Sequence, residues 1–406
     1  MLSQALILCG GLGTRLGELT AATPKPMLPV AGRPFLDHLI QQTARYGITR
    51  IVLLAGRFGE QVAAAYHGRT LYGATIEVVV EPAPLGTGGA LRFAADRLEP
   101  EFLLLNGDSW IDADIAGFAR AWRTARADDP TLAAQMLLQV VPDVARFGSV
   151  TLEGNRISAF LEKSTERAGT AGLINAGVYL LTRDIVDLIP PAIACSLETD
   201  VLPRLVAQRR VGAVTAPEGS YFIDIGVPET FARVQTELPR VRTRPALFLD
   251  RDGTLNRDAG YTHRVEDLDW MPGAREAIAH ANAAGYYVFV VTNQAGVARG
   301  LYDEAAIATF HAAMQEQLGE IGAHIDAIEW CPHHVDGTVE TYRRECDRRK
   351  PGPGMINDLL AAWPVERGLS LLIGDSDADM AAAEAAGIRA IRYHGGSLLE
   401  LLKTSI

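Results

Sequence analysis

The chain has 406 residues, 48% of them hydrophobic and 21% charged, enough to bury full cores and long enough to favour two domains or more. Its formal charge of −11 argues against a general nucleic-acid binder, although a phosphate pocket needs only a few local cations. No stretch approaches a membrane span, and the opening MLSQALILCGG lacks the basic segment and apolar length of a secretion signal, so a cytoplasmic protein with no membrane attachment is expected.

Four cysteines, Cys9, Cys195, Cys331 and Cys346, are too few for a disulfide framework at this length. Cys9 and Cys195 read as packing residues. The segment ELPRVRTRP, Glu237 to Pro245, reads as the joint between domains, because two prolines bracket arginines without an apolar period. The boundary is placed near Arg240.

In chain order, Ala5 to Cys9 is expected as a buried strand. The glycine-rich turn that follows carries Gly11, Gly13, Thr14 and Arg15, then Lys25 between two prolines. Its backbone N–H groups can cradle phosphates, yet it is neither a dinucleotide fingerprint nor a P-loop. The pair Arg15 and Lys25 suits charge developing on a leaving pyrophosphate. Phe35 to Tyr46 reads as an amphipathic helix, and Arg50 to Ala55 and Ile76 to Val80 read as strands, which is α/β order.

EPAPLGTGGA then allows close passage of a flat ligand at Gly86, Thr87, Gly88 and Gly89. FLLLNGDSW delivers Asp108 and YFIDIGVPE delivers Asp224 to one sheet edge, a pair suited to Mg²⁺ shared with triphosphate oxygens. Between them lie Gly148, Glu162 with Lys163, and Asn175 with Gly177, groups able to receive a sugar phosphate.

The second half opens on ALFLDRDGTLN. A short apolar run, Ala246 to Leu249, ends in Asp250, where a carboxylate beyond a strand end can attack phosphorus while Asp252 serves as acid and then base. Two acids so close repel, which implies Mg²⁺. A calcium loop is set aside, since Leu255 and Tyr261 stand where that pattern needs glycine and glutamate. Further on, Thr292 and Asn293 end a strand and can hold a phosphoryl oxygen, Lys350 supplies a cation, and Asp375 ends another strand with Asp379 four residues later.

From about Ala5 to Val234 these motifs resemble the sugar-1-phosphate nucleotidyltransferase family. GRPFL, PLGTGGA and NGDSW look most like its D-glycero-α-D-manno-heptose-1-phosphate guanylyltransferases. The resemblance implies Arg15 and Lys25 on the triphosphate, the Gly86 to Gly89 turn beside the base, Glu162 and Lys163 on the sugar phosphate, and Asp108 and Asp224 on Mg²⁺. From Ala246 to about His394, LDRDGTLN, VVTNQAGVARG, CPHH and RKPGPGM resemble the haloacid dehalogenase-like phosphatases, and most of all the D-glycero-D-manno-heptose-1,7-bisphosphate 7-phosphatases. That resemblance implies Asp250 as nucleophile, Asp252 as acid/base, Thr292, Asn293 and Lys350 on phosphate, Arg349 near the substrate, and Asp250, Asp252 and Asp375 around Mg²⁺.

Two positions depart from that pattern. Cys331, His333 and Cys346 match three ligands of a structural zinc loop, but Arg348 stands at the fourth. Either His334 or Asp347 substitutes, or the loop is metal-free and held by packing. Ser376 stands where the heptose phosphatases carry lysine. The expected architecture is therefore α/β, with a Rossmann-like nucleotidyltransferase domain over residues 1–239 and a haloacid dehalogenase-like domain without a large cap over residues 245–406. The expected activity is bifunctional, consuming GTP and phosphorylated heptose and involving no nucleic acid or membrane, with self-association left open. Another sugar phosphate, or a non-catalytic sugar-phosphate sensor, are the rival readings.

Overall fold

The structure, a computed structural model, describes all residues except 1, 12, 145–147 and 162–168. The chain divides into two compact units, one of Leu2–Ala44 with Ile48–Val241, the other of Arg242–Ile406 with Arg45–Gly47.

The first unit is built on a mixed sheet whose centre is parallel. Glu101–Asn106, Gln4–Leu8, Arg50–Ala55 and Ala74–Val80 lie side by side in that order, all running the same way. Gly172–Thr182 joins antiparallel to Glu101–Asn106 and carries the sheet on towards Ala134–Val141. These strands are near-continuous apolar runs because both faces are covered: Leu6, Val52, Phe102 and Leu104 are at most 0% exposed. Each such side chain contributes roughly 1.5–3 kcal/mol on burial. Leu8 pairs with Asn106, so the glycine-rich turn and the segment holding Asp108 leave the sheet next to one another.

The second unit is a parallel sheet of five strands among the described residues. Its order is Ala327–Cys331, Tyr287–Asn293, Ala246–Leu249, Leu371–Gly374, Arg389–Arg392. In chain sequence that is third, second, first, fourth, fifth. The order reverses at Ala246–Leu249, and the crevice beyond that strand's carboxyl end is where such sheets bind ligands. Asp250 is the first residue past it, its N–H donating to the Ile373 carbonyl at 3.0 Å. Between Asn256 and the helix Ala274–Ala283 the chain only loops out and back, with Arg257 N–H bonded to the Asp269 carbonyl at 2.8 Å. A segment this short shapes a pocket and carries no large cap.

The expected joint is corrected in part. Residues Glu237 to Arg242 are the last turns of a helix, Pro228–Arg242, that contains Pro239. Val234 and Leu238, both fully buried, precede Val241 at helical spacing, an apolar period that the flanking prolines and arginines obscured.

Candidate active sites

In the first unit, Asp108 and Asp224 are brought together by a two-stranded ribbon, Ser109–Ile111 with Phe222–Asp224, in which Ser109 faces Asp224. The Ile225 N–H donates to the Asp108 carbonyl at 2.9 Å, which ties the acid-bearing turns to each other. Lys25, 8% exposed, donates from Nζ to Asp108 Oδ2 at 2.6 Å. Asp224 is held above the usual carboxylate range by burial and then by the charge of Asp108, against the pull of Lys25 and Arg15. Two repelling carboxylates under one lysine suit a divalent cation. Arg15 is exposed on the wall of a cavity of about 500 Å³ that Asp224, Phe222, Thr230 and Arg233 also line. The turn itself is pinned by the Thr20 hydroxyl, which donates to the Gly13 carbonyl at 2.9 Å. Gly11 is exposed, and Thr14 begins a short helix, Thr14–Thr20, whose preceding residue Gly13 has φ 64°.

Other expected residues of this half make contacts within the fold. Gly88 and Gly89 N–H groups donate to the Cys195 carbonyl at 2.9 and 3.1 Å, and a methyl group on Gly86 would collide with that same carbonyl. These glycines make room for a neighbouring segment of protein. The Thr87 hydroxyl donates to Glu198 at 2.6 Å and accepts from the Leu197 N–H at 2.8 Å. Asn175 spends its amide on the Tyr179 hydroxyl at 2.5 Å and the Gly177 N–H at 2.9 Å. Gly148 is exposed, and Glu162 and Lys163 lie outside the described residues.

The second unit gathers its charge around Lys350. Its Nζ lies 2.6 Å from Asp250 Oδ1 and 2.5 Å from Asp379 Oδ1, and it also donates to the Val291 carbonyl at 2.7 Å. Carboxylate oxygens of Asp250, Asp375 and Asp379 lie within 4.8 Å of one another. Burial, together with the charges of Asp379 and Asp252, lifts Asp250 to about 7 despite Lys350. Burial pulls Lys350 down, but Asp250 and Asp379 outweigh it and raise its pKa. Three acids around one lysine leave negative charge uncompensated, which is what a Mg²⁺ site offers its ion. Asp379 is fully buried because it also closes a capping box with Ser376, whose hydroxyl donates to its Oδ2 at 2.6 Å. The expected lysine position thus holds a helix cap. Gly253, with φ 86°, turns the chain under Asp375, where any side chain would strike the carboxylate.

Two assignments change here. Asp252 is not in the three-acid group. Its Oδ1 accepts from Arg251 Nε and Asn256 Nδ2, both at 3.0 Å, and its Oδ2 from the Arg251 guanidinium and Gln294 Nε2, both at 2.8 Å. Four donors occupy the carboxylate, so its side chain is turned to protein rather than to a metal. Asn293 does not present its amide to phosphate either. Its Nδ2 donates to the Lys350 carbonyl and its Oδ1 accepts the Lys350 N–H, each at 3.0 Å. One amide matches one peptide unit, and the pair fixes where Lys350 starts. Thr292 remains at the strand end, 1% exposed. Arg349 is half-buried and donates weakly to the His333 carbonyl at 3.4 Å; burial and then the charge of Arg299 lower its pKa.

Cys331, His333 and Cys346 do converge, with Cys331 Sγ 3.7 Å from His333 Nδ1. Arg348, at the fourth position, is instead paired with Glu329 and, at 2.6 Å, with Asp358. Among the described residues three side chains converge and no fourth joins them to complete a four-ligand zinc site, while Arg348 ties that loop to Glu329 and Asp358.

Sequence reasoning passed over Arg251, Asn256, Gln294, Tyr302 and His311. Arg251 is 0% exposed; its guanidinium lies over the Phe310 ring and bonds the Thr262 carbonyl at 2.6 Å. For Arg251, Asn256 and Gln294 the available signal was a polar residue inside a motif already singled out, DRDGTLN or TNQAG; Tyr302 and His311 lie outside both.

Comparison with known proteins follows this division. The profile of a family described as Nucleotidyl transferase matches residues 4–240, and one described as HAD-hydrolase-like matches residues 347–400. The D-glycero-beta-D-manno-heptose-1,7-bisphosphate 7-phosphatase of Rhodopseudomonas palustris is 53% identical over 152 residues, 37% of this chain and 84% of that protein. The chain belongs to the nucleotidyl transferase family in its first half and to the haloacid dehalogenase-like phosphatases in its second. The mannose-1-phosphate guanylyltransferase of Mycobacterium tuberculosis is 39% identical over 258 residues, 63% of this chain and 70% of that protein. HddC from Yersinia pseudotuberculosis, solved with GMP-PN, is 30% identical, with 58% of this chain and 100% of that one covered at a TM-score of 0.49. Among the described residues no helix is long and apolar enough to cross a membrane.

Proposed function

We propose that the chain is a bifunctional enzyme of GDP-heptose formation. The second half removes the 7-phosphate of D-glycero-α-D-manno-heptose 1,7-bisphosphate; the first then transfers GMP from GTP to the heptose 1-phosphate and releases pyrophosphate. The observation that carries this reading is the Asp250–Lys350 centre on a half that is 53% identical to a heptose-bisphosphate phosphatase. The nucleotidyltransferase half supports it, because the phosphatase product is a sugar 1-phosphate. Guanine as the base draws on the relative named a mannose-1-phosphate guanylyltransferase. The phosphatase relative is named for the β anomer, whereas α follows from the guanylyl-type motifs.

In the phosphatase, Asp250 attacks phosphorus, the bond to the sugar oxygen breaks, and protonated Asp252 gives that oxygen its proton. Water then attacks the phosphoaspartate, the bond between Asp250 and phosphorus breaks to release orthophosphate, and anionic Asp252 takes the proton of the water. Thr292 and Lys350 meet the phosphoryl oxygens. Asp250 and Asp375, with Asp379 behind them, fit Mg²⁺, which when bound neutralises phosphoryl charge. In the transferase, a sugar-phosphate oxygen attacks the α-phosphorus of GTP and the bond to the β-phosphate breaks. Arg15 and Lys25 stabilise the departing charge, and Asp108 and Asp224 fit Mg²⁺. GTP, Mg²⁺ and phosphorylated sugars in supply place this reading in the cytoplasm.

The test incubates purified protein with each anomer of heptose 1,7-bisphosphate, GTP and Mg²⁺, with mannose 1-phosphate as a further acceptor, and identifies products by mass. GDP-heptose and both orthophosphate and pyrophosphate are expected from the α anomer. GDP-mannose alone would transfer the first half to another sugar.

A further inference from the structure

One buried side chain of the phosphatase centre takes no part in the steps above. Gln294, 1% exposed, follows the strand Tyr287–Asn293 directly. Its Nε2 donates to Asp252 Oδ2 at 2.8 Å and to Thr292 Oγ1 at 2.9 Å, and its Oε1 accepts from the Tyr302 hydroxyl at 2.8 Å. Chemistry decides this orientation. A carboxylate offers only acceptors, so the atom facing Asp252 is the nitrogen, and the oxygen is left to a tyrosine that must donate. Tyr302 is suited to that duty: burial lifts its pKa to about 12, and its ring stacks on His263 with centroids 4.3 Å apart.

The polarity propagates. A threonine hydroxyl has a single hydrogen, and Thr292 accepts from Gln294, so its own proton need not be spent on that neighbour. It stays available for a phosphoryl oxygen. Asp252, meanwhile, is held on its Oδ2 by the same amide group, so the acid/base and the phosphate-binding hydroxyl share one support. An amide in the opposite orientation would put oxygen against oxygen at Asp252 and claim the Thr292 proton.

We infer that Gln294, oriented by Tyr302, is a positioning residue of the phosphatase: it sets which groups donate and which accept, fixing Asp252 and reserving the Thr292 proton for the phosphoryl group. This rests on the phosphatase reading above. A residue of plain packing would need the volume of glutamine at this position, not its donor.

Gln294→Glu separates the two, since it keeps the shape and replaces the donor by an acceptor. The expected result is phosphatase kcat lower by about a hundredfold and competitive inhibition by orthophosphate weaker by about tenfold. In a Thr292→Val background, the same substitution should leave inhibition by orthophosphate unchanged. Tyr302→Phe, which releases the amide orientation, should lower kcat by about tenfold with KM within about twofold. Gln294→Glu protein that folds and keeps kcat and phosphate inhibition within about threefold of wild type overturns the inference. Where that variant does not fold, Tyr302→Phe decides, and a kcat within about twofold of wild type overturns it. Wild-type protein that releases no phosphate from any phosphomonoester in Mg²⁺ removes the phosphatase reading and this inference together, whereas active wild type with silent variants removes the inference alone.

Discussion

Lys350 Nζ and Asp250 Oδ1 stand 2.6 Å apart in the wall of the second site, with only 4% and 8% of the two residues exposed. The lysine is the sole cation contacting both Asp250 and Asp379 among the described residues. It therefore has two tasks, holding the Asp250 carboxylate in place and offsetting charge that burial would otherwise penalise.

Lys350→Met should abolish phosphate release and lower the stability of the second unit by about 3–5 kcal/mol, because two buried carboxylates lose their partner. Denaturant midpoints and phosphate assays on the same protein check this. An unchanged midpoint would mean that the acids are protonated or hydrated when the lysine is absent.

Asp250→Asn should end phosphate release while leaving nucleotidyl transfer intact, and Asp108→Asn should do the reverse. The two acids sit at the strand ends of different sheets, so neither substitution reaches the other chemistry. Separate assays with heptose 1,7-bisphosphate and with GTP plus heptose 1-phosphate read them. Loss of both activities in a folded single variant would contradict independent sites.

Asn293→Ala removes both hydrogen bonds that fix the Lys350 backbone. A loss of about 1–3 kcal/mol in stability is expected. With Lys350 displaced, kcat should fall by about tenfold or more, since small misplacements at a reacting centre are costly. Thermal melts and steady-state kinetics test it, and a variant that loses substrate affinity alone would restore the amide to phosphate binding.

His311 is held near 3, far below its ordinary value of 6.5, first by burial and then by the charge of Arg251. The native state thus refuses a proton that the unfolded chain accepts. Stability is unaffected above pH 6.5, falls as pH drops from there, and ceases to fall from this cause near 3. Urea midpoints between neutral pH and about pH 4.5 should decline less in His311→Gln than in wild type. Equal declines would exclude His311 as the source.

The loop of Cys331, His333 and Cys346 should not need zinc, because Arg348 is engaged by Glu329 and Asp358. Chelator treatment should leave the melting temperature unchanged, and metal analysis should find less than one zinc per chain. Stoichiometric zinc with a lowered melting point after its removal would show that another group supplies the fourth ligand.

The sequence by itself determined the two α/β halves and the strands that carry the chemistry. Ala246 to Leu249 and Arg50 to Ala55 were legible because a parallel strand covered on both faces must be apolar throughout, and its end is marked by the first acid or glycine. Asp250, Asp375, Asp108 and Asp224 were legible for the same reason, being charges at or just past the end of a strand; Lys350, in a turn before the helix Gly354–Ala362, was legible only through the RKPGPGM motif.

Partners were decided only by the tertiary structure. Nothing in the order of residues says that Asn293 spends its amide on Lys350, that Gly86 and Gly88 make room for Cys195, or that Asp379 rather than Asp252 joins the acid group. Asn293 and Lys350 are 57 residues apart, Gly86 and Cys195 are 109 apart, and Asp250 and Asp379 are 129 apart. Hydrogen-bond polarity is directional and short-ranged, so a side chain's role is set by what the fold puts within 3 Å of it. The pattern of apolar residues decides where strands run, and leaves that final assignment to packing.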